Sequence, residues 1–121
     1  MRFYLFFIGL IAFPLSLWAF EVEDTLTLGD PDSASKLRVI STTDAELFRP
    51  VLAEFRNAHP ETFVEYVVTS SSELMAAIQT EGAAFDLAIS SAMDLQTKLA
   101  NDGLTLPYAS TTTASLPTWA R

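Results

Sequence analysis

The chain has 121 residues, which leaves room for one domain at most. Its residues are 50% hydrophobic and 12% aromatic, enough for a packed core, and its formal net charge is −8. This acidic balance excludes a basic nucleic-acid-binding surface and disfavours attraction to anionic membranes. The absence of cysteine excludes disulfides, zinc-thiolate sites and cysteine nucleophiles.

The first segment, residues 1–19, has the pattern of a secretion signal. Arg2 gives a positive n-region, and Phe3 to Phe13 forms an apolar h-region that a proline ends before a short c-region. Ala19 supplies the small residue before a cleavage site, although a bulky leucine stands two positions earlier. An uncleaved anchor is the alternative, because the uncharged run from Phe3 to Phe20 is borderline in length for a spanning helix. We expect a cleaved signal peptide and export to the periplasm.

Residues 20–36 form an acidic N-terminal arm without a sustained period. Apolar residues alternate within it at Val22, Leu26 and Leu28, which is compatible with a short edge strand. A mobile leader fits the composition equally well, so the sequence leaves both possibilities open.

From residue 37 to residue 121 a strand followed by a helix recurs three times. The predicted strands are Leu37–Ile40, Phe63–Val68 and a buried Leu87–Ile89, and the predicted helices begin at Thr43, Ser70 and Ser91. The strand spacing suffices for a right-handed crossover each time. The sequence therefore predicts an α/β fold with a parallel three-strand βαβαβα core.

The first predicted helix, Thr43–Ala58, has an apolar stripe and an internal proline. Pro50 is expected to kink the helix or divide it. The stripe consists of Leu47, Val51, Leu52 and Phe55, with Phe48 beside it. In the second strand, Tyr66 shares a face with valines and is expected to pack in the sheet. At the end of the third helix, Gly103 is placed for the left-handed position after the last turn.

Each strand-to-helix junction is rich in hydroxyl side chains. Three pairs have the spacing of a capping box, namely Thr43 with Glu46, Ser70 with Glu73, and Ser91 with Asp94. Serine and threonine are preferred helix caps, so capping alone would explain any single junction.

Three such junctions in succession contain more hydroxyls than capping requires. The carboxyl ends of parallel strands meet at one edge of the sheet, where helix N-termini supply free amides and partial positive charge. Such an edge suits an anion or a hydroxylated small molecule. The candidate ligand-binding residues are Thr42, Thr43, Ser70, Ser71, Ser90 and Ser91. We expect Ser90 to act in recognition only and Ser91 to cap the helix as well.

No catalytic set is assignable in the sequence. His59 is the single histidine and precedes a proline at a predicted helix end, and no Ser-His-acid order can be traced. No glycine-rich phosphate loop or metal-ligand cluster occurs either. We therefore expect a protein that is not an enzyme and has neither a cofactor nor a metal site built from these residues.

Several runs between Ile40 and Ala120, above all Ser90–Gln96, resemble segments of the bacterial extracellular solute-binding proteins of ABC transporters. The resemblance covers about Leu37 to Ala120 and is most specific in the Ser-Ser-Ala-Met-Asp segment. It is closest to the iron(III)-type substrate-binding branch, which includes relatives tied to two-component regulation of transport. The runs are Ile40–Asp44, Phe55–Pro60, Val64–Tyr66, Asp86–Leu87, Ser90–Gln96, Lys98–Leu99, Asn101–Gly103, Leu106–Ala109 and Leu116–Ala120.

The resemblance implies a type II periplasmic-binding fold, in which two α/β lobes joined by a hinge close over the ligand. Residues 37–121 would then be part of the first lobe, in a fragment or a truncated reading frame without the hinge and second lobe. The implied ligand is a small anionic or hydroxylated molecule or a chelated metal, and the implied partners are ABC permease subunits. Iron has no support from any residue present, because the tyrosines of iron-binding members lie in the second lobe. The alternative is a periplasmic module that presents a ligand to a two-component sensor kinase.

Overall fold

The computed structural model describes residues 20–80 and 82–120, so the predicted signal peptide lies outside the described residues. The described part contains four strands and three α-helices, followed by two short 3₁₀ turns at Thr111–Ser115 and Thr118–Ala120. In chain order the main elements are β1 Asp24–Leu28, β2 Ser35–Ser41, α1 Ala45–Ala58, β3 Thr62–Val68, α2 Ser71–Gln79, β4 Leu87–Ile89 and α3 Met93–Asn101.

The strands form one sheet in the order β1-β3-β2-β4. β2 is parallel to both β3 and β4, which confirms the predicted parallel three-strand core. β1 adds a fourth, antiparallel strand along the outer edge of β3. The fold is α/β, with the connections between parallel strands made by α1 and α2.

The edge strand was one of the two possibilities left open for residues 20–36, and the structure contains it. β1 pairs in register with β3, from Asp24 opposite Val68 to Leu28 opposite Val64. The hydrogen bonds to β1 satisfy main-chain N–H and C=O groups along the edge of β3 that would otherwise be unpaired within the sheet.

Helices cover both faces of the sheet, because neighbouring strand residues point to opposite sides. Val39 and Tyr66 belong to a core beneath α1, whereas Ile40 and Val67 belong to a core beneath α2 and α3. Phe20 completes the second core, where it is 4% exposed and meets Phe85 edge to face. The hydrophobic alternation along β2 and β3 therefore builds a three-layer arrangement.

Helix α1 differs from its prediction in two respects. It runs unbroken from Ala45 to Ala58 through Pro50, so division of the helix is wrong, and the kink expected as the alternative stays a prediction. Leu47 and Val51 are 72% and 55% exposed, so their assignment to the packed stripe is also wrong. The face that packs on the sheet consists of Ala45, Phe48, Leu52 and Phe55. It keeps two residues of the predicted stripe, Leu52 and Phe55, but it is turned towards Phe48 and away from Leu47 and Val51.

Helix α3 ends as the sequence predicts. Gly103 has φ of +74°, and its amide donates to the carbonyl of Ala100 at 3.1 Å. The amide of Leu104 donates to the carbonyl of Leu99 at 3.0 Å. These two bonds form a Schellman motif, which requires the left-handed conformation that glycine adopts without strain.

Strand β4 is not buried, contrary to its prediction. Leu87 is 50% exposed, because β4 is the outer strand of the described sheet and pairs with β2 alone. A short apolar run looks the same in sequence whether it occupies a central or an outer position. No helix within residues 20–80 and 82–120 is long and apolar enough to cross a membrane.

Candidate functional site

The three parallel strands end side by side. Ser41, the last residue of β2, lies opposite Val68 of β3 on one side and Ile89 of β4 on the other. The following junctions therefore share the carboxyl edge of the sheet, and the six predicted site residues all lie in them. We define this set as the hydroxyl edge, which consists of Thr42, Thr43, Ser70, Ser71, Ser90 and Ser91.

At the β2–α1 junction, Thr42 connects β2 to the neighbouring junction. Its amide donates to the carbonyl of Ile89 at 3.0 Å, and its hydroxyl accepts from the amide of Ser91 at 3.4 Å. Residues that follow two different strands are thus joined directly. The parallel arrangement of β2 and β4 makes these contacts, because it places the two strand ends at one level.

The predicted capping box between Thr43 and Glu46 is wrong. The residue at the cap position of α1 is Asp44, and no side chain makes a cap hydrogen bond there. The carboxylate of Glu46 instead binds the Arg49 guanidinium, at 2.5 Å in the shorter of two contacts. The first amides of α1 are therefore left without a side-chain acceptor.

At the β3–α2 junction, the predicted cap is confirmed in part. The hydroxyl of Ser70 accepts from the amide of Glu73 at 3.2 Å. The carboxylate of Glu73 does not return to Ser70, because it accepts from the amide of Glu21 at 3.0 Å. The hydroxyl of buried Thr69 also donates to the carbonyl of Glu21, at 2.6 Å. The main chain at Glu21 thus lies against this junction.

At the β4–α3 junction, Ser91 does not cap the helix as predicted, and the hydroxyl that binds the main chain is that of Ser90. Ala92 occupies the cap position of α3, and no side chain makes a cap bond there, so the box between Ser91 and Asp94 is wrong. The hydroxyl of Ser90 accepts from the amide of Ala92 at 3.0 Å, in the local turn that serine side chains commonly form. Ser91 is exposed.

The hydroxyl edge divides into two kinds of residue. The hydroxyls of Thr42, Ser70 and Ser90 accept hydrogen bonds from main-chain amides of the junctions. For the other three, no hydrogen-bond partner occurs among the described residues; these are Thr43, Ser71 and Ser91. Within the hydroxyl edge, each junction therefore has one hydroxyl that binds a main-chain amide and one without a partner among the described residues.

Acidic residues in the first turns change the electrostatics of this edge. Glu46, Glu73 and Asp94 lie in the first turns of α1, α2 and α3. The hydrogen bond and charge of Arg49 lower the pKa of Glu46, and the same pair raises the pKa of Arg49. Carboxylates near helix N-termini stabilise the helices, but they also offset the partial positive charge that would attract an anion.

Three structural residues at the edge had weak signals in the sequence. Ser41 and Thr69 are almost completely buried, at 0% and 1% exposure. The hydroxyl of Ser41 accepts from the nearby amide of Thr43, whereas that of Thr69 donates to the carbonyl of Glu21, 48 residues away. Tyr66 does pack in the sheet, as expected, but its hydroxyl also donates to the carbonyl of Thr43 at 2.9 Å. A single tyrosine in an apolar strand does not reveal such a contact, because the partner is 23 residues away in sequence.

The chain is similar to the substrate-binding protein of an ABC transporter from Agrobacterium tumefaciens. The two structures superpose with a TM-score of 0.74 at 30% sequence identity, over 84% of this chain and 32% of the neighbour. The chain therefore spans about a third of that neighbour's length. No family model matches the chain, and no curated protein matches it.

No group of three or more histidine, aspartate or glutamate side chains that could hold a metal ion occurs in the described residues. The name of the neighbour gives no substrate, so the iron(III)-type branch stays a prediction. The described residues have the α/β fold of part of an ABC-transporter substrate-binding protein.

Proposed function

We propose that this chain supplies part of the ligand-binding lobe of a periplasmic solute-binding protein that serves an ABC importer. The hydroxyl edge forms one wall of the ligand cleft. Support comes from the likeness to an ABC-transporter substrate-binding protein over 84% of the chain. The general rule that ligands bind at the carboxyl ends of strands in open α/β sheets supports the same location.

The observation that carries the proposal is the convergence of three junctions at one edge. Each junction leaves one hydroxyl without a partner among the described residues, at Thr43, Ser71 and Ser91. Neither α1 nor α3 has a side-chain cap. Amide donors and free hydroxyls are thus available together, and a small polar ligand could use both.

Of the ligand classes expected from the sequence, we favour a hydroxylated small molecule over a bare anion. The first-turn carboxylates of Glu73 and Asp94 oppose an anion at this edge, and Arg49 is already paired with Glu46. A neutral polyol can accept from amides and exchange hydrogen bonds with hydroxyls without that repulsion. A chelated metal would have to be recognised through the hydroxyl groups of its chelator.

The proposed partners are the permease subunits of the importer, and the proposed location is the periplasm after export. Both follow from the role of the neighbouring protein and from the predicted signal sequence. No observation on the described residues favours a sensor kinase as partner, so the signalling alternative is not proposed.

The experiment is a calorimetric titration of the chain with D-glucitol, inorganic phosphate and ferric citrate as three separate probes. We expect heat of binding with D-glucitol and a weaker response with phosphate. The variant Thr43→Val/Ser71→Ala/Ser91→Ala should lose the D-glucitol response. The control Thr27→Val changes an exposed threonine on β1 and should retain the response. Equal D-glucitol binding by the triple variant and the control would contradict the proposed wall.

A further inference from the structure

Tyr66 places a polar group inside the core beneath α1. Its side chain is 0% exposed and lies among apolar residues that include Val64 and Leu52. A buried phenolic hydroxyl needs a hydrogen-bond partner, because desolvation without one is costly. The partner is the main-chain carbonyl of Thr43, at 2.9 Å. The bond joins the middle of the apolar core to the hydroxyl edge.

The packing of the ring does not require the hydroxyl. The ring of Tyr66 stacks on Phe48 of α1, with centroids 5.2 Å apart and planes inclined by 15°. A phenylalanine would keep this contact and would leave no polar group to satisfy. What the hydroxyl adds is the hydrogen bond to Thr43, 23 residues away.

The main chain of Thr43 is held from both sides by buried hydroxyls. Its carbonyl accepts from Tyr66, and its amide donates to the hydroxyl of Ser41 at 3.0 Å. Ser41 and Tyr66 are both 0% exposed, so competition from water for these bonds is limited on the side of the two hydroxyls. Helix α1 has no side-chain cap, and these two bonds fix the residue that precedes its cap position instead.

We infer that Tyr66 is a positioning residue of the ligand-binding wall. Its hydroxyl fixes the peptide of Thr43 and thereby the direction of the free Thr43 hydroxyl and the start of α1. The inference rests on the proposed function, since it concerns the same wall. Tyr66 itself is buried beneath α1 and does not contact the ligand.

The test compares Tyr66→Phe with Thr62→Val. Thr62 begins the same strand, is 6% exposed, and shares a hydroxyl pair with Ser35 at 3.1 Å. Both variants remove one buried hydroxyl from β3, but only Tyr66 contacts the hydroxyl edge. Amide hydrogen exchange of the ligand-free full chain is followed by NMR, with each rate corrected for the global stability of its variant.

In Tyr66→Phe the Thr43 amide keeps its bond to the Ser41 hydroxyl, but it should exchange about fivefold to tenfold faster after this correction. Loss of the bond at the Thr43 carbonyl makes local opening of this segment more frequent. In Thr62→Val it should exchange at the corrected wild-type rate. An equal rate at Thr43 in the two variants would overturn the inference and leave Tyr66 with a packing role only.

Titration with D-glucitol gives the second readout. Tyr66→Phe should bind D-glucitol several-fold more weakly than Thr62→Val, and equal affinity would also count against the inference. If the wild-type chain binds none of the probes, the proposed wall fails by that result. The exchange rates still decide whether Tyr66 positions Thr43, because they are measured without ligand.

Discussion

The side-chain hydroxyl of Thr42 accepts a hydrogen bond from the main-chain amide of Ser91 at 3.4 Å. The two residues are 49 positions apart and follow different strands, β2 and β4. The amide of Thr42 in turn donates to the carbonyl of Ile89, so the junctions are tied by two bonds. The backbone of Ser91 is thereby held in place while its hydroxyl has no partner among the described residues.

The two serines after β4 should respond differently to substitution. Ser90→Ala removes the acceptor of the Ala92 amide and should destabilise the protein by about 1 kcal/mol. Ser91→Ala removes a hydroxyl that holds nothing in the described structure and should leave the free energy of unfolding within about 0.5 kcal/mol of wild type. Urea denaturation of the two variants measures the difference. A larger stability loss in Ser91→Ala than in Ser90→Ala would indicate that Ser91 caps α3, as the sequence predicts.

Gly29 and Gly103 provide a matched pair of glycines with positive φ. Gly29 has φ of +96°, and an added Cβ would lie 2.9 Å from the Arg56 guanidinium. Gly103 has φ of +74°, and no atom lies within 4 Å of an added Cβ. Gly103→Ala should therefore cost about 1 kcal/mol, from backbone conformation alone.

Gly29→Ala should cost somewhat more, roughly 2 kcal/mol, because the guanidinium would have to shift and weaken its own hydrogen bonds. Arg56 donates to the carbonyls of Pro60 and Thr62, which follow α1. Chemical denaturation of both variants gives the comparison. An equal decrease in the free energy of unfolding in the two variants would mean that Arg56 moves away from the added Cβ without an energetic cost.

The ion pair between Glu46 and Arg49 should make the stability of the fold depend on pH. The hydrogen bond and charge of Arg49 lower the pKa of Glu46, so Arg49→Ala should raise it towards its ordinary value. Since the pKa in the folded state is the lower one, the pair stabilises the fold above the ordinary glutamate pKa. That contribution is lost as pH falls through the lowered pKa of the folded state.

Carbon-13 NMR titration of the Glu46 carboxyl measures the pKa directly. Both side chains are largely exposed, at 46% for Arg49 and 76% for Glu46, so the effect on stability should be small. An unchanged Glu46 pKa in Arg49→Ala would show that the pair does not form in solution.

Phe20 links the predicted signal peptide to the core. Cleavage after Ala19 would make Phe20 the first residue of the exported protein, and intact-mass analysis of periplasmic material would detect it. Phe20 is 4% exposed against Phe85, so Phe20→Ala should destabilise the protein by about 3 kcal/mol. Leu106→Ala is the control, because Leu106 is 91% exposed and its loss should cost about 0.5 kcal/mol or less. Recovery of membrane-bound chains that retain Met1 would contradict cleavage.

The sequence alone determined the parallel core and most of the secondary structure, whereas it left the edge strand β1 open. Hydrophobic period and turn residues are local properties, so β2, β3, α2 and the Gly103 stop could be predicted closely. The same local reasoning was insufficient for α1. Leu47 and Leu52 are equally apolar in sequence, and only the docking of the helix on the sheet exposes one and buries the other.

For the candidate site, the sequence indicated which residues follow the strands, and the tertiary structure decided what each hydroxyl does. Ser90 and Ser91 are chemically identical, and they differ because a helix that begins after Ala92 leaves only Ser90 in reach of a main-chain amide. The bonds from Thr42 to Ser91 and from Tyr66 to Thr43 join residues distant in sequence. Such bonds depend on strand order and register, which the pairing of whole strands sets and no local pattern encodes.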